Sequence, residues 1–252
     1  MSSSNQIRNS IIEIAAASEE GHIASSFSIV ELLLAIFEYE NKINVFEPSC
    51  LVLSKGHASY AYYAFLHHIG LMDLTELETV GQIGSKYYGH LPYIENDERF
   101  QFGSGSLGHG LPFSVGLAHG AKILKKSKNI YCIVGDGEVN EGTFWESLLL
   151  LQKLKITNLK ILVDCNNSSE RAIPISNTLK NLKYAFKYLD FIDVDGHSIS
   201  SLVSVMSSQS KSQILLCNTI KGYPISFMQN NPVWHHRTPN KNEIIQIKEE
   251  LI

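Results

Sequence analysis

The chain has 252 residues, of which 44% are hydrophobic and 18% charged, with a formal net charge of -4 and a pI of about 6.2. Its only arginines are Arg8, Arg99, Arg171 and Arg237, so it carries no basic field of the kind that grips nucleic acid. No apolar run approaches the roughly 20 residues of a membrane span. Residues Met1–Ser10 contain no apolar signal core, so a cytoplasmic location is expected. The cysteines Cys50, Cys132, Cys165 and Cys217 form no CxxC pair, and three lie in or beside apolar runs. They read as buried thiols of a reducing compartment, not as disulfides or metal ligands. The length allows one large core, and no repeat, low-complexity tract or linker interrupts it. A single domain over residues 1–252 is expected.

In chain order, Asn5–Ser18 reads as an amphipathic helix with Ile7, Ile11, Ile14 and Ala15 inward. Ser28–Tyr39 reads as a second helix, with Ser28 as N-cap and Glu31 completing a capping box. Cys50–Leu53 is a short strand that ends at Ser54-Lys55-Gly56-His57, where a helix over Ala58–Gly70 begins; it carries His67 and His68. A Gly-His step recurs at Gly21-His22, Gly56-His57 and Gly89-His90. One such step reads as a helix cap with an incidental histidine. At a strand-to-helix turn it instead sets an imidazole at the carboxyl edge of a sheet, where α/β folds bind ligands. Gly103 to Gly108 spells GxGxxG before a helix over Gly110–Lys125. A dinucleotide turn of that pattern needs a strand ahead of it, and Arg99–Phe102 is short and polar.

The centre of the chain is more specific. Asn129–Val134 reads as a buried strand, GDGEVNEG as a turn, Thr143–Leu154 as a helix with Trp145, Leu148, Leu149 and Leu151 on one broad face, Leu159–Val163 as a strand and DCNNSS as a turn. Strand-helix-strand implies parallel strands joined by a right-handed crossover. Both polar turns then lie at strand carboxyl ends. Neighbouring strands are roughly 5 Å apart, so the Asp136 carboxylate and the Asn166 amide oxygen could meet one ion. Mg²⁺ takes about six hard oxygens and shares them with phosphates. Gly135 and Gly137 let a phosphate approach the backbone, and the next helix N-terminus favours an anion. An ion-bridged diphosphate is the natural occupant. The alternation continues with a helix over Ser176–Leu189, a strand over Phe191–Asp195, a helix over Ser198–Ser208 and a strand over Gln213–Thr219. A last helix starts at Pro239 with Ile244, Ile245 and Ile247. The fold class is α/β: a doubly wound parallel sheet with helices on both faces.

GDG, a spacer of this length and Asn166-Asn167 resemble the thiamine-diphosphate motif. The segments around them resemble the N-terminal half of transketolases. EEGHIAS is similar to the family's SGHPG step, LSKGHASYAYYAFL to LSxGHxSxxLYxxL and IGSKYYGHLP to SKxPGHPE. SGSLGHGLPFSVGLAHGAK is similar to TGxLGQGLxxAVGxAxGxK, and TIKGYPISFMQNNPVWHHRTP to the TIKGxGVxFMExNxxWHHxxP of split transketolase subunits. Ile23, Tyr88 and Leu91 stand where the family has proline, and His109 where it has glutamine.

The resemblance implies a thiamine-diphosphate-binding fold. It implies cofactor contacts from Gly105, Leu107, Gly108, Gly135, Asp136, Gly137, Glu138, Asn166 and His235. It implies Mg²⁺ held by the Asp136 and Asn166 side chains and the Ser168 carbonyl. His22, His57, His90 and His235 would surround the reacting carbons, with His236 beside them, where groups titrating near neutrality move protons. Glu141 matches an acid at the junction between cofactor sites; as a residue it also reads as a first-turn glutamate favouring the helix dipole. His67 and His68 match nothing in the pattern, and His197 matches a structural position. The implied reaction moves a two-carbon ketol unit from a ketose, or its phosphate, to an aldose. In that family a second, pyrimidine-binding domain supplies the aminopyrimidine glutamate and most sugar-phosphate contacts. The expectation is therefore a separately encoded C-terminal partner subunit in a heterotetramer, with no nucleic-acid or membrane partner. Other readings are a 2-oxo acid dehydrogenase or deoxyxylulose-phosphate synthase subunit, a nicotinamide dehydrogenase resting on GxGxxG, and a non-catalytic subunit that binds only a partner.

Overall fold

Five short apolar runs become strands β1 Leu51–Leu53, β2 Ile130–Gly135, β3 Leu159–Cys165, β4 Leu189–Asp195 and β5 Ser212–Asn218. In this computed structural model, which describes residues 1–19, 21–43, 45–168, 185–207 and 211–252, all pairings are parallel and the order is β1-β2-β3-β5-β4. The helices are α1 Ser3–Ser18, α2 Ile23–Phe27, α3 Val30–Ile43, α4 Ser59–His68, α5 Leu74–Glu78, α6 Gly110–Ile123, α7 Gly142–Leu154, α8 Ile199–Met206 and α9 Lys241–Glu250.

Side chains alternate along a strand, and here both faces are covered. Tyr131, Ile133, Leu162 and Leu215 join one core with α1, α3, α4 and α8. Ile130, Cys132, Val134, Ile161, Val163 and Leu216 join the other with α6 and α7. That is why the strands read as continuous apolar runs instead of alternating ones. The register pairs Gly135 with Asp164, so the turns after β2 and β3 leave the sheet side by side. The cysteines are free thiols. Among the described residues no helix is long and apolar enough to cross a membrane.

Several expected elements are corrected. The helix expected over Ser28–Tyr39 begins instead at Val30, as α3, and Ser28 is the C-cap of α2, with φ -66° and ψ -22°. Its hydroxyl donates to the Ser25 carbonyl at 3.0 Å and to Asp164 Oδ2 at 2.7 Å. Glu31 accepts from Arg8 at 2.7 Å and meets His197 Nδ1 at 3.2 Å. Buried charges elsewhere thus recruit both members of the apparent capping box, because leaving them unpaired costs more than a cap returns. On α7 the buried face is Phe144, Ser147, Leu148 and Leu151, whereas Leu149 is 59% exposed. A step of about 100° per residue cannot hold adjacent leucines on one narrow stripe. Between β2 and α7 lies a 3-10 turn, Asp136–Asn140, so α7 does not follow Asp136 directly but begins at Gly142. Pro239 precedes the last helix: Asn240 is its N-cap, in a capping box with Glu243, and Ile247 is buried while Ile245 is exposed. No strand forms over residues 99–102, where a 3-10 turn Glu98–Phe100 stands, and this removes the structural basis of the dinucleotide reading. Of the helix expected over Ser176–Leu189, residues 176–184 lie outside the described residues, and Leu189 opens β4. Ser198 is the N-cap of α8.

The corrected face of α7 is testable by urea unfolding of the purified chain. Leu148→Ala is expected to destabilise by about 2–5 kcal/mol, and Leu149→Ala by no more than about 0.5 kcal/mol. Equal losses would refute the assignment.

Candidate cofactor and active site

Four of the five strands deliver a polar turn to one edge of the sheet. β1 leads into Ser54-Lys55-Gly56-His57, β2 into Asp136, β3 into Asn166 and β5 into Thr219 to Lys221. Between them lies a cavity of about 200 Å³ lined by, among others, Lys55, Leu107, Asp136, Asn166, Lys221 and His235. Gly135, Gly137, Glu138, Ser168, His57 and Ser25 complete the lining.

Asp136 Oδ2 and Asn166 Oδ1 both accept from the Ser168 amide N–H, each at 3.1 Å. Two hard oxygens from adjacent turns therefore converge on one positive point. Ser168 meets them through this N–H. Asn166 is oriented by its other amide atom, since Nδ2 donates to Asp164 Oδ2 at 2.9 Å.

Asp164 is wholly buried. Besides Asn166 and Ser28 it accepts from Lys55 Nζ and Thr219 Oγ1. Burial alone would raise its pKa; the Lys55 charge and the hydrogen bonds from Lys55, Thr219 and Ser28 outweigh it and hold the carboxyl below its usual range. Lys55 also donates to the Ser25 carbonyl at 3.0 Å and to Ser28 Oγ at 2.9 Å. Lys221, 8% exposed, has its pKa pushed down to about 8, first by burial and then by the Lys55 charge. Neither lysine stands out in the sequence, although both lie inside the family-like segments LSKGH and TIKG. The signal that could have found them is their position immediately after an apolar strand.

Glu138 is also buried, with its carboxylate turned into the protein. It accepts from the Gly135 N–H at 2.7 Å, the Gly108 N–H at 3.0 Å and Ser54 Oγ at 2.5 Å. Burial pushes its pKa up against those donors. It ties three segments of the cavity wall together. Gly108 adopts φ +78°, and a Cβ there would lie 2.5 Å from Thr143 Oγ1 and 2.7 Å from Glu141 Cβ. Glu141 thus packs behind Gly108 at the start of α7, outside the cavity lining. Leu107 lines the cavity and is 40% exposed; Gly105, at φ +146°, lies two residues ahead of it.

The histidines expected to meet do meet. The His22 ring lies 4.3 Å from His57, 5.4 Å from His235, 6.0 Å from His90 and 4.7 Å from His236. His57 lies 5.3 Å from His90 and 5.5 Å from His235. Gly56 makes this possible, because a Cβ there would come within 2.6 Å of the His90 ring. His22 Nδ1 faces the His235 carbonyl at 2.7 Å; a carbonyl only accepts, so Nδ1 carries the proton and Nε2 a lone pair. Lys221 Nζ lies 2.9 Å from His235 Nδ1, which places the proton of neutral His235 on Nε2. Burial, above all, pushes His22 down to about 4 and His57 to about 3, with neighbouring imidazoles adding to it. His197 stands apart, stacked on Tyr223 at 3.9 Å. His67 is also apart, on α4, where its Nδ1 faces the Met72 carbonyl at 2.9 Å.

A parallel sheet whose carboxyl edge offers converging hard oxygens, two lysines and a close-packed Gly-rich turn defines a diphosphate-binding protein of the thiamine-diphosphate class. Residues 2–251 match the family described as "Transketolase, thiamine diphosphate binding domain", and the chain belongs to that family. It is 33% identical to one of the subunits of the apulose-4-phosphate transketolase of Actinobacillus succinogenes, over 97% of this chain and 93% of that protein. It is 30% identical to the transketolase of Mus musculus over 98% of this chain, but spans 41% of that protein. A transketolase structure from Pichia stipitis superimposes with a TM-score of 0.86 at 24% identity, covering 100% of this chain and 41% of that one; it shows the shared fold. The chain is thus the counterpart of a transketolase N-terminal subunit, part of a thiamine-diphosphate-dependent transferase.

The charge arrangement is testable in two ways. Asp164→Ala leaves the Lys55 ammonium buried without its partner and is expected to cost about 3–5 kcal/mol in chemical denaturation; a loss below about 1 kcal/mol would show that the network is dispensable. His22 and His57 have folded pKa values depressed below the ordinary 6.5, so the unfolded chain takes up their protons first. Their contribution to stability is complete above about pH 6.5 and drains away toward about pH 4 and 3. Urea midpoints at about pH 7.5 and 5 should therefore differ, and by less in His57→Gln; an unchanged difference would contradict the assignment.

Proposed function

We propose that the chain is the N-terminal subunit of a split transketolase, which with a separately encoded C-terminal partner moves a two-carbon ketol unit from a ketose or its phosphate to an aldose. The observation that carries this is the meeting of His22, His57, His90 and His235 at a cavity lined by Asp136, Asn166 and Lys221. Thiamine diphosphate, when bound, supplies the carbon nucleophile that attacks the ketose carbonyl.

The chain's residues then divide the work. Asp136 and Asn166 offer an oxygen donor set of the kind Mg²⁺ takes, with Ser168 beside them. Lys55 and Lys221 set positive charge against the diphosphate. Gly105, Leu107, Gly108, Gly135 and Gly137 present backbone to the cofactor, and Glu138 holds that backbone in place. The imidazoles face the sugar. His22 presents a lone pair at Nε2 and His235 an N–H, so one can accept and the other donate to hydroxyl groups without a net charge. A 2-oxo acid needs no such cluster, which favours a polyhydroxylated substrate. Glu141, packed behind Gly108, serves as a link toward a neighbouring protomer.

At about 200 Å³ the cavity is below the roughly 300–1,000 Å³ usual for cofactor sites, which supports a site completed by a second chain. The relative from Actinobacillus succinogenes is itself named as one subunit of its enzyme. We assign the whole chain to one domain, working in a cytoplasmic heterotetramer.

The test is a coupled assay of the chain with its co-purified partner, thiamine diphosphate and Mg²⁺, using apulose 4-phosphate and pyruvate as alternative donors. Ketol transfer from the sugar phosphate is expected only with both subunits present, and Asp136→Ala should lower it by more than about 100-fold. Transfer by this chain alone, or turnover of pyruvate only, would defeat the proposal.

A further inference from the structure

The imidazoles above the cavity are close enough to serve a second purpose. One ring nitrogen from each of His22, His57 and His235 lies within 4.8 Å of the other two. Converging imidazole nitrogens, with no carboxylate among them in the described residues, suit borderline transition ions, whereas Mg²⁺ prefers oxygens. Zinc binds histidine nitrogen at about 2.0–2.1 Å and leaves a fourth position open where the protein supplies three ligands. The cluster needs only a modest contraction to meet that distance. His235 is solvent-exposed and at the end of a 3-10 turn, Pro232–His235, so it has room to swing its Nδ1 lone pair off the Lys221 ammonium, 2.9 Å away, and onto an ion while Nε2 keeps its proton. His22 is already oriented: its Nδ1–H donates to the His235 carbonyl at 2.7 Å, leaving Nε2 as a ligand atom, the arrangement that supporting hydrogen bonds give metal-binding histidines.

We propose that His22, His57 and His235 form a binding site for a divalent transition-metal ion of the zinc class, distinct from the oxygen site at Asp136 and Asn166. His90 and His236 flank it, with rings 6.0 Å and 4.7 Å from His22. His57 and His235 both line the cavity, so an ion held there takes up part of its space. On the reading of the reaction given above, that makes the ion an inhibitor acting at the sugar's place. The donor sets keep the two sites apart: excess Mg²⁺ does not displace an ion held by three imidazoles.

The test uses the tag-free full chain, stripped of metal and held in excess Mg²⁺. It is titrated with Zn²⁺ by calorimetry and with Co²⁺ by visible absorption. One ion per chain is expected. His57→Gln and His235→Gln should each weaken Zn²⁺ binding by about 10- to 100-fold, while Asp136→Ala leaves it within about twofold of the parent. Because His235 is exposed, its variant does not depend on a core substitution being tolerated. Absence of binding, or binding that survives both histidine substitutions as an ion on the His67-His68 pair would, overturns the site. Binding is read on the isolated chain without cofactor or sugar, so it fails independently of the ketol-transfer reading.

Discussion

The site depends on one buried carboxylate. Asp164 sits at the carboxyl end of β3 with no solvent contact, and an ionised carboxylate there is tolerable only if its oxygens are fully engaged. Its partners come from four places: Lys55 after β1, Ser28 between α2 and α3, Thr219 after β5 and Asn166 in its own turn. Satisfying one charge therefore fixes three separate chain segments and the β3 turn around a common point. It also decides an orientation that sequence leaves open. With Nδ2 committed to Asp164, the Asn166 amide has to aim Oδ1 at the side where Asp136 Oδ2 already points. The pair of hard oxygens is a consequence of where the buried negative charge lies.

What is legible in the sequence follows from this. The strands are readable because burial on both faces makes them short apolar runs, and the three Gly-His steps and the Asp136 and Asn166 turns because each follows a strand or a glycine. What is not legible are the residues whose role is set by a distant partner. Ser28 and Glu31 have the spacing of a capping box, yet Asp164, Arg8 and His197 claim their side chains from up to 166 positions away. Lys55 and Lys221 read as motif letters until the fold buries them beside the cavity. Glu138 follows Asp136-Gly137 and reads as a cofactor contact. It does line the cavity, and its carboxylate is also tied to Gly108, Gly135 and Ser54, which no spacing in the sequence shows. Leu149 is misread for a local reason: a run of four leucines gives the helical period nothing to phase on except Phe144 and Ser147.

The imidazole cluster obeys a different constraint. Several histidines packed ring to ring cannot all be charged, because each proton raises the cost of the next and half-burial weakens the screening that would relieve it. The rings His22 and His57 consequently stay neutral well below the ordinary histidine range. Neutral rings keep distinct donor and acceptor nitrogens, and the surroundings decide which is which. The His235 carbonyl fixes the His22 tautomer, and the Lys221 ammonium fixes that of His235. A cluster of this kind presents both donors and acceptors, and from several directions.

The two lysines are the opposite case. Lys55 has its counter-charge in Asp164, at contact distance. Among the described residues Lys221 has none as close: burial and the Lys55 charge depress its pKa to about 8, and the pull of Asp164 and Asp136 only partly opposes them. A buried cation that is under-compensated in the free protein is a cation prepared for an anion, because an arriving negative charge is favoured by the same interaction that raises the lysine pKa again. The Gly-rich turn held by Glu138 lets backbone reach the same place. The edge of the sheet thus sets two lysines and the converging oxygens beside an imidazole cluster in which His22 and His57 stay neutral.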